Sequence, residues 1–359
     1  MAKIHNFSAG PSILPQEVFQ EASQAVLDFN GTGLSLLEMS HRSKEFVAVM
    51  DEARALVKEI YNLSDDYEVM FLQGGASLGF LISAYNLQGA NKKGAYISTG
   101  AWASKALKEG KWVGEAVEVA TSKPENYNHI PKNYVVGSDV DYLHYTSNNT
   151  IFGTQFHNVP EVNVPLVCDM SSDIFCRELD TSKFDLIYAG AQKNMGPAGA
   201  TLYIAKKSLI GNSSANIPTM LNLKTHADKE SMFNTPPVFA VYVSMLVLRW
   251  IKKTGLKQIG IMNKAKADLL YGEIDRNTMF KGTAAEEDRS IMNACFVLND
   301  GLDESLTTSF LDMCKTANIS GLKGHRDVGG FRASMYNALP LDSVQALVDV
   351  MKAFEIKYA

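Results

Sequence analysis

The chemistry of this chain centres on a lysine and an aspartate at the ends of two apolar runs. Lys193 lies in Ala191-Gln192-Lys193-Asn194-Met195-Gly196-Pro197-Ala198-Gly199, directly after the run Asp185 to Ala189. Most lysines seek water, so one just past a buried strand is unusual. Desolvation there lowers its pKa, and the neutral amine can attack an aldehyde. Asp169 ends the run Pro165-Leu166-Val167-Cys168, one strand–loop–strand unit upstream. A carboxylate at the tip of a buried strand needs a partner. A protonated pyridine nitrogen is one such partner, and the pair lets the ring act as an electron sink. The plain alternatives are a solvated loop lysine and a helix-capping aspartate; the nearness of the two residues in the chain counts against the first.

Three further stretches come directly after strand-like runs. Gln73-Gly74-Gly75-Ala76-Ser77 comes after Glu68-Val69-Met70-Phe71-Leu72 and opens a helix. Its glycines admit a close ligand, and free N–H groups at a helix start attract an anion such as phosphate. It is neither a P-loop nor GxGxxG, and a tight strand-to-helix turn explains it equally well on its own. Trp102 opens the helix after Ser98-Thr99-Gly100, where an indole either stacks on a flat cofactor or packs in the core. Asn148-Asn149-Thr150 lies past the strand ending at Tyr145, placed to bond a ring substituent or to shape a turn.

The elements that must position these residues alternate. Strands are expected at Glu68–Leu72, Gly94–Ser98, Val117–Ala120, Tyr142–Tyr145, Leu166–Cys168, Leu186–Ala189 and Leu202–Ala205, with helices at Ala76–Leu87 and Ala101–Lys108 among them. That order gives an α/β fold whose mostly parallel sheet is covered on both faces, with ligands beyond the carboxyl ends of the strands. The C-terminal hundred or so residues differ. Long helices at Pro237–Lys253 and Gly255–Tyr271 precede strands at Ala294–Leu298 and Gly329–Met335, a helix near Ser305–Thr316 and a last helix over Leu341–Glu355. We expect residues 1–260 as the large domain, beginning with an N-terminal arm, and 261–359 as a smaller α+β domain.

Length and composition fit that division. The 359 residues, 46% hydrophobic and 20% charged, suit two domains with a large core. A net charge of −5 without long runs of one sign argues against a nucleic-acid partner. Cys168, Cys176, Cys295 and Cys314 form no CxxC pair and read as buried free thiols rather than disulfides or metal ligands. No signal core and no bilayer-spanning run is visible, so no membrane association and a cytoplasmic location are expected.

Taken together, the chain resembles the fold-type I pyridoxal-phosphate enzymes, and within their class V aminotransferases the phosphoserine aminotransferase family. The resemblance extends from Asn6-Phe7-Ser8-Ala9-Gly10-Pro11 nearly to the C-terminus. It rests on Met39-Ser40-His41-Arg42-Ser43, Gln73-Gly74-Gly75-Ala76-Ser77, Ala191-Gln192-Lys193-Asn194, Phe233-Asn234-Thr235-Pro236-Pro237, Gly324-His325-Arg326 and Gly330-Phe331-Arg332-Ala333-Ser334-Met335-Tyr336-Asn337. Ser77 stands where some members have arginine, and Leu78 where glycine is common. The resemblance implies a seven-stranded sheet in the large domain and pyridoxal 5'-phosphate as cofactor. It makes Lys193 the cofactor-bearing catalytic residue, with Asp169 on the ring nitrogen, Trp102 stacked on the ring and Thr150 on the phenolic oxygen. Ala76, Ser77 and Gln192 then hold the cofactor phosphate, aided by Asn234 and Thr235 of a second subunit. His41 and Arg42, with His325 and Arg326 of the partner, take the substrate phosphate, and Arg332 takes the α-carboxylate.

The implied activity is ping-pong transfer of an amino group between L-glutamate and 3-phosphohydroxypyruvate, with the 4-phosphohydroxythreonine pair of vitamin B6 synthesis as a related substrate. The unit implied is a homodimer with shared sites. Substrates with an anion at each end suit an arginine fork at one end and two His-Arg steps at the other. An alanine–glyoxylate aminotransferase or a cysteine desulfurase is the nearest competing reading. The desulfurase lacks a cysteine in a mobile glycine-rich loop, and the His-Arg steps favour a phosphorylated substrate. A nucleotide-binding dehydrogenase, or a module without activity, competes from another class; the missing GxGxxG counts against the dehydrogenase.

Overall fold

The computed structural model describes residues 3–359. Seven strands make the central sheet: β1 (Tyr67–Leu72), β2 (Lys93–Ser98), β3 (Glu115–Thr121), β4 (Tyr142–Thr146), β5 (Leu166–Asp169), β6 (Leu186–Gly190) and β7 (Thr201–Lys206). Their spatial order is β1-β7-β6-β5-β4-β2-β3. Only β7 runs antiparallel to its neighbours. Alternate residues of each strand feed opposite faces. On β6, Ile187 and Ala189 join the core beneath the helices α1 (Gln16–Leu27), α2 (Lys44–Ile60) and α6 (Val238–Thr254), numbered along the chain. Leu186 and Tyr188 face the opposite layer, under α3 (Gly75–Leu87) and α4 (Ala101–Val113). With both faces buried, strands read as continuous apolar runs. Helix α3 sits hard on the sheet: a Cβ at Gly79 would lie 2.6 Å from the Tyr188 ring.

Beyond the short helix α5 (Leu223–Ala227) and α6, α7 (Leu256–Arg276) joins the two cores. Its Ile259 belongs to the large core, whereas Ala267, Leu270 and Ile274 belong to the second. That second core is built on β8 (Phe280–Gly282), β9 (Asn293–Leu298) and β10 (Phe331–Ser334), with α8 (Ser305–Thr316) and α9 (Leu341–Tyr358). The N-terminal arm joins it as well. His5–Asn6 pairs in parallel with Ile319–Ser320, and Phe7 is wholly buried in the small core.

A polar seam binds the two cores. Asn148 donates to Ser172 Oγ and to Asn293 Oδ1, each at 2.8 Å. Lys266 of α7 is buried and donates to the carbonyls of Met335 (2.9 Å) and Tyr336 (2.7 Å). Buried polar groups are tolerated only when bonded in this way. The four cysteines are free and buried, and burial pushes the Cys168 thiol far up. Among the described residues no helix is long and apolar enough to cross a membrane, and no cluster of side chains is arranged to hold a metal ion.

Candidate active site

The carboxyl ends of β5 and β6 bring Asp169 and Lys193 into one electrostatic neighbourhood. Asp169 closes β5, in register with Thr146 of β4 and Tyr188 of β6. Its Oδ1 accepts from the Ser171 backbone N–H (2.9 Å) and hydroxyl (2.6 Å). The capping alternative therefore describes only one oxygen; Oδ2 accepts no hydrogen bond from the described residues. Burial raises the Asp169 pKa, opposed most by the positive charge of Lys193. Lys193 sits in the turn after β6, half-buried. Burial lowers its pKa, Asp169 raises it, and Arg332 lowers it further. Each group is thus driven toward neutrality by desolvation and held toward charge by the other. Ser12 fixes the turn, its N–H donating to Gln192 O (3.0 Å) and its hydroxyl to Lys193 O.

Trp102 lies in the first turn of α4, with the Lys193 amine 5.7 Å from its ring centroid. Its indole N–H donates to Thr150 Oγ1 at 3.3 Å, and the Thr150 carbonyl accepts from Arg332 at 3.1 Å. One chain of contacts therefore joins the indole, Thr150 and the arginine on β10. The Arg332 Nε is buried and has no protein partner, so a donor awaits an acceptor. Asn149 bonds Thr99 and Thr154, and Asn148 bonds the interdomain seam, so neither side chain is free for a ligand.

The first turn of α3 is built as an anion cradle. Gly74 (φ 94°) and Gly75 (φ 63°) take the left-handed conformation that glycine adopts without strain. No side chain caps the helix, and the Gly75, Ala76 and Ser77 N–H groups donate to nothing among the described residues. Such a terminus binds phosphate.

These residues fit pyridoxal phosphate: an uncapped helix start for its phosphate, a buried carboxylate with a free oxygen for its ring nitrogen, and an indole flanking a desolvated amine. Gln73 donates to the Thr235 carbonyl at 2.7 Å and so anchors the Asn234–Thr235 stretch.

The two His-Arg steps are placed differently. His41 Nε2 is buried without a partner, Arg42 is exposed, and neither side chain bonds to the Lys193 cluster. Leu34 and Leu37, just before them, are 48% and 63% exposed. The loop bearing His325 and Arg326 instead packs, through Val328, on this chain's own Tyr127–Ile151–Phe152 cluster, against which Trp102 also packs. The expectation that His325 and Arg326 reach the site from a partner concerns a second chain, which these contacts within one chain do not test. The loop springs from the same hairpin as Arg332, whose strand is tied to Thr150.

Ser171, Ser12 and Val328 were not singled out by the sequence. The Asp169-x-Ser171 spacing is a side-chain-to-backbone turn signal that points to the first. The conspicuous open clefts lie elsewhere. One of about 730 Å³ between α8 and α9 is lined by Met313, Ala346 and Val350 and carries no such set of groups.

The aminotransferase class-V family model matches residues 4–347. The phosphoserine aminotransferase of Flavobacterium psychrophilum is 63% identical over 357 residues, spanning 99% of each chain. The solved phosphoserine aminotransferase of Bacillus circulans subsp. alkalophilus is 41% identical with a TM-score of 0.95, covering 99% of each chain. The pyridoxal-phosphate-bound enzyme of Trichomonas vaginalis is 34% identical with a TM-score of 0.93, over 98% of this chain and all of that one.

Proposed function

The chain belongs to the aminotransferase class-V family, and on that premise we propose how its residues share out a transamination. It is a pyridoxal-phosphate-dependent transaminase that moves the amino group between L-glutamate and 3-phosphohydroxypyruvate, giving O-phospho-L-serine and 2-oxoglutarate. The observation that carries the residue roles is the convergence of Lys193, Asp169, Trp102 and the uncapped start of α3.

When bound, pyridoxal phosphate supplies the aldehyde that receives the amino group and the ring that accepts electrons. Ala76 and Ser77 hold its phosphate through their N–H groups, with Gln192 beside them. Asp169 Oδ2 keeps the ring nitrogen protonated. Trp102 shields one face from water, and Thr150 presents its hydroxyl on that side. The Lys193 amine takes the proton from the Cα of the amino donor and, in the return half-reaction, delivers a proton to the Cα of the acceptor, acting as base and then acid. Burial suits it to both roles, since a lysine at its ordinary pKa is cationic and no base. Arg332 grips the α-carboxylate with its unpartnered Nε and neighbouring nitrogens. At the far end, a histidine and an arginine from each step accept either a carboxylate or a phosphate dianion. The same pocket chemistry accommodates 4-phosphohydroxythreonine, which carries the same two anionic ends.

The active unit is a homodimer with shared sites. His41–Arg42 and Asn234–Thr235 reach across, and His325–Arg326 serve their own chain. Exposed large apolar side chains flank both stretches assigned to the partner's site: Leu34 and Leu37 before His41, and Phe233 before Asn234. Such surface calls for a protein cover.

The test is borohydride reduction of the holoenzyme and then peptide mapping. The cofactor mass is expected on the peptide carrying Lys193, and phosphoserine added first should prevent the labelling. Label on another lysine, or none, overturns the assignment.

A further inference from the structure

The loop from Gly324 to Gly330 hangs between Lys323 and Phe331, which pair in antiparallel fashion at its base. Its neck is backbone alone. Gly324 N–H donates to Gly330 O at 2.8 Å, and a Cβ at Gly324 would lie 1.9 Å from the Gly329 carbonyl. Gly329 (φ 78°) and Gly330 (φ 54°) are both left-handed. Its internal bonds make a small knot. The Val328 and Gly329 N–H groups donate to His325 O, and the Asp327 N–H donates to His325 Nδ1 at 3.3 Å. The Asp327 carboxylate lies 3.4 Å from His325 and 3.6 Å from Arg326. Among the described residues, no hydrogen bond or ion pair leaves this segment for the large domain.

One contact does leave it. Val328, the loop's sole apolar side chain, packs into a cluster made by Tyr127, Ile151 and Phe152 with Ala101 and Trp102. Ala101 and Trp102 open α4, and Ile151 comes next after Thr150, so the cluster is the wall of the site itself.

We propose that Val328 is a latch: its docking on the Tyr127–Ile151–Phe152 cluster beside Trp102 holds His325 and Arg326 over the site and thereby sets selectivity for the phosphorylated end of the substrate. A valine bridging the small and large domains here is a positioning residue, acting through His325 and Arg326, which lie with it inside the loop closed by the Gly neck. Glycine necks swing freely unless their tip is held. Docking by apolar contact puts no salt bridge across the gap, so an incoming anion competes only with the loop's own Asp327 for His325 and Arg326. The inference rests on the substrate-phosphate role assigned above to His325 and Arg326.

The experiment compares Val328→Ala, Val328→Ile and Arg326→Ala with the unaltered holoenzyme, using phosphoserine and glutamate separately. Removing two methyl groups from the latch weakens docking about tenfold. Val328→Ala should raise KM for phosphoserine by about that factor while kcat changes less than about twofold. Val328→Ile should restore it. A second readout is independent of turnover. Arg326 is 91% exposed at its side chain, so trypsin cleavage after it reports loop freedom with and without cofactor. Cleavage should quicken in Val328→Ala and not in Val328→Ile. If Arg326→Ala loses phosphoserine affinity but Val328→Ala does not, the latch is wrong and the assignment of Arg326 stands. If neither variant loses it, the assignment of Arg326 has failed and the latch with it. Unchanged trypsin cleavage in Val328→Ala also overturns the latch.

Discussion

The two ends of the site are built on different terms. Around Lys193, the groups lie on strands, in the turns that follow them or in a helix first turn, and hydrogen bonds fix them: Ser12 on Gln192 and Lys193, Ser171 on Asp169, Thr150 between Trp102 and Arg332. At the phosphate-recognition end, His41 and Arg42 stand without partners and Arg326 is almost fully exposed. Catalytic placement requires sub-ångström rigidity, which sheet and helix termini supply. Recognition of two anions of different shape is better served by loops that adjust. We propose that one chain supplies the proton-moving and carboxylate-binding groups, whereas selectivity draws on the Val328 latch and on a second chain.

The largest effect expected within the rigid region is on Lys193. Lys193→Ala should cut transamination by about a thousandfold or more, the scale of a lost acid–base group, while circular dichroism and the melting curve stay those of a folded protein. Steady-state turnover near the unaltered value would end the assignment. Next in size is Arg332→Lys, which keeps the charge but loses the planar fork. Glutamate and phosphoserine should weaken alike, by roughly tenfold to a hundredfold, the worth of about 1.5–3 kcal/mol for a charged hydrogen bond. If only phosphoserine suffers in initial-rate assays, Arg332 belongs to the other end of the site.

A smaller effect comes from the seam between the cores. Lys266 has two carbonyl partners and no carboxylate, and burial lowers its pKa to about 7, from 10.5 in the ordinary state. A base whose folded pKa is depressed costs stability in full below that folded value, and the cost fades as pH rises toward the unfolded one. Between about pH 7 and 10 the unfolded chain holds one more proton here, so this group adds stability with rising pH at about 1.4 kcal/mol per unit. Chemical denaturation across that range should show the slope, and Lys266→Met should flatten it. A variant with the same slope as the unaltered protein would show that Lys266 titrates normally.

Much of the rigid region was legible in the sequence, and for a physical reason. A parallel sheet covered on both faces leaves apolar runs such as Leu186–Ala189, and the residues just past each run land at the site. Asp169, Lys193 and Trp102 declared themselves by that position. The loose region was not legible in the same way. Nothing in the composition of Gly324–Gly330 says that Val328 turns inward, because a single apolar contact leaves no periodicity. His325 and Arg326 were expected across a subunit boundary; what their loop shows is a shared hairpin with Arg332 and one apolar contact, Val328 on the Tyr127–Ile151–Phe152 cluster. The pairing of His5–Asn6 with Ile319–Ser320 spans most of the chain and leaves no local mark. Lys266 reads as an ordinary lysine in Lys264-Ala265-Lys266 until α7 is packed against Met335 and Tyr336.

The division between a chain's own chemistry and a shared recognition end is tested most directly by mixing inactive variants and letting their subunits exchange, with phosphoserine as substrate. Lys193→Ala mixed with Arg42→Ala should regain about a quarter of full activity: random exchange makes half the dimers mixed, and each mixed dimer has one good site of two. Lys193→Ala mixed with Arg326→Ala should regain none, because Arg326 and Lys193 serve the same site from the same chain. Recovery in the second mixture and not in the first, with exchange demonstrated by mass, would reverse the assignment; recovery in neither would show that Arg42 also acts within its own chain.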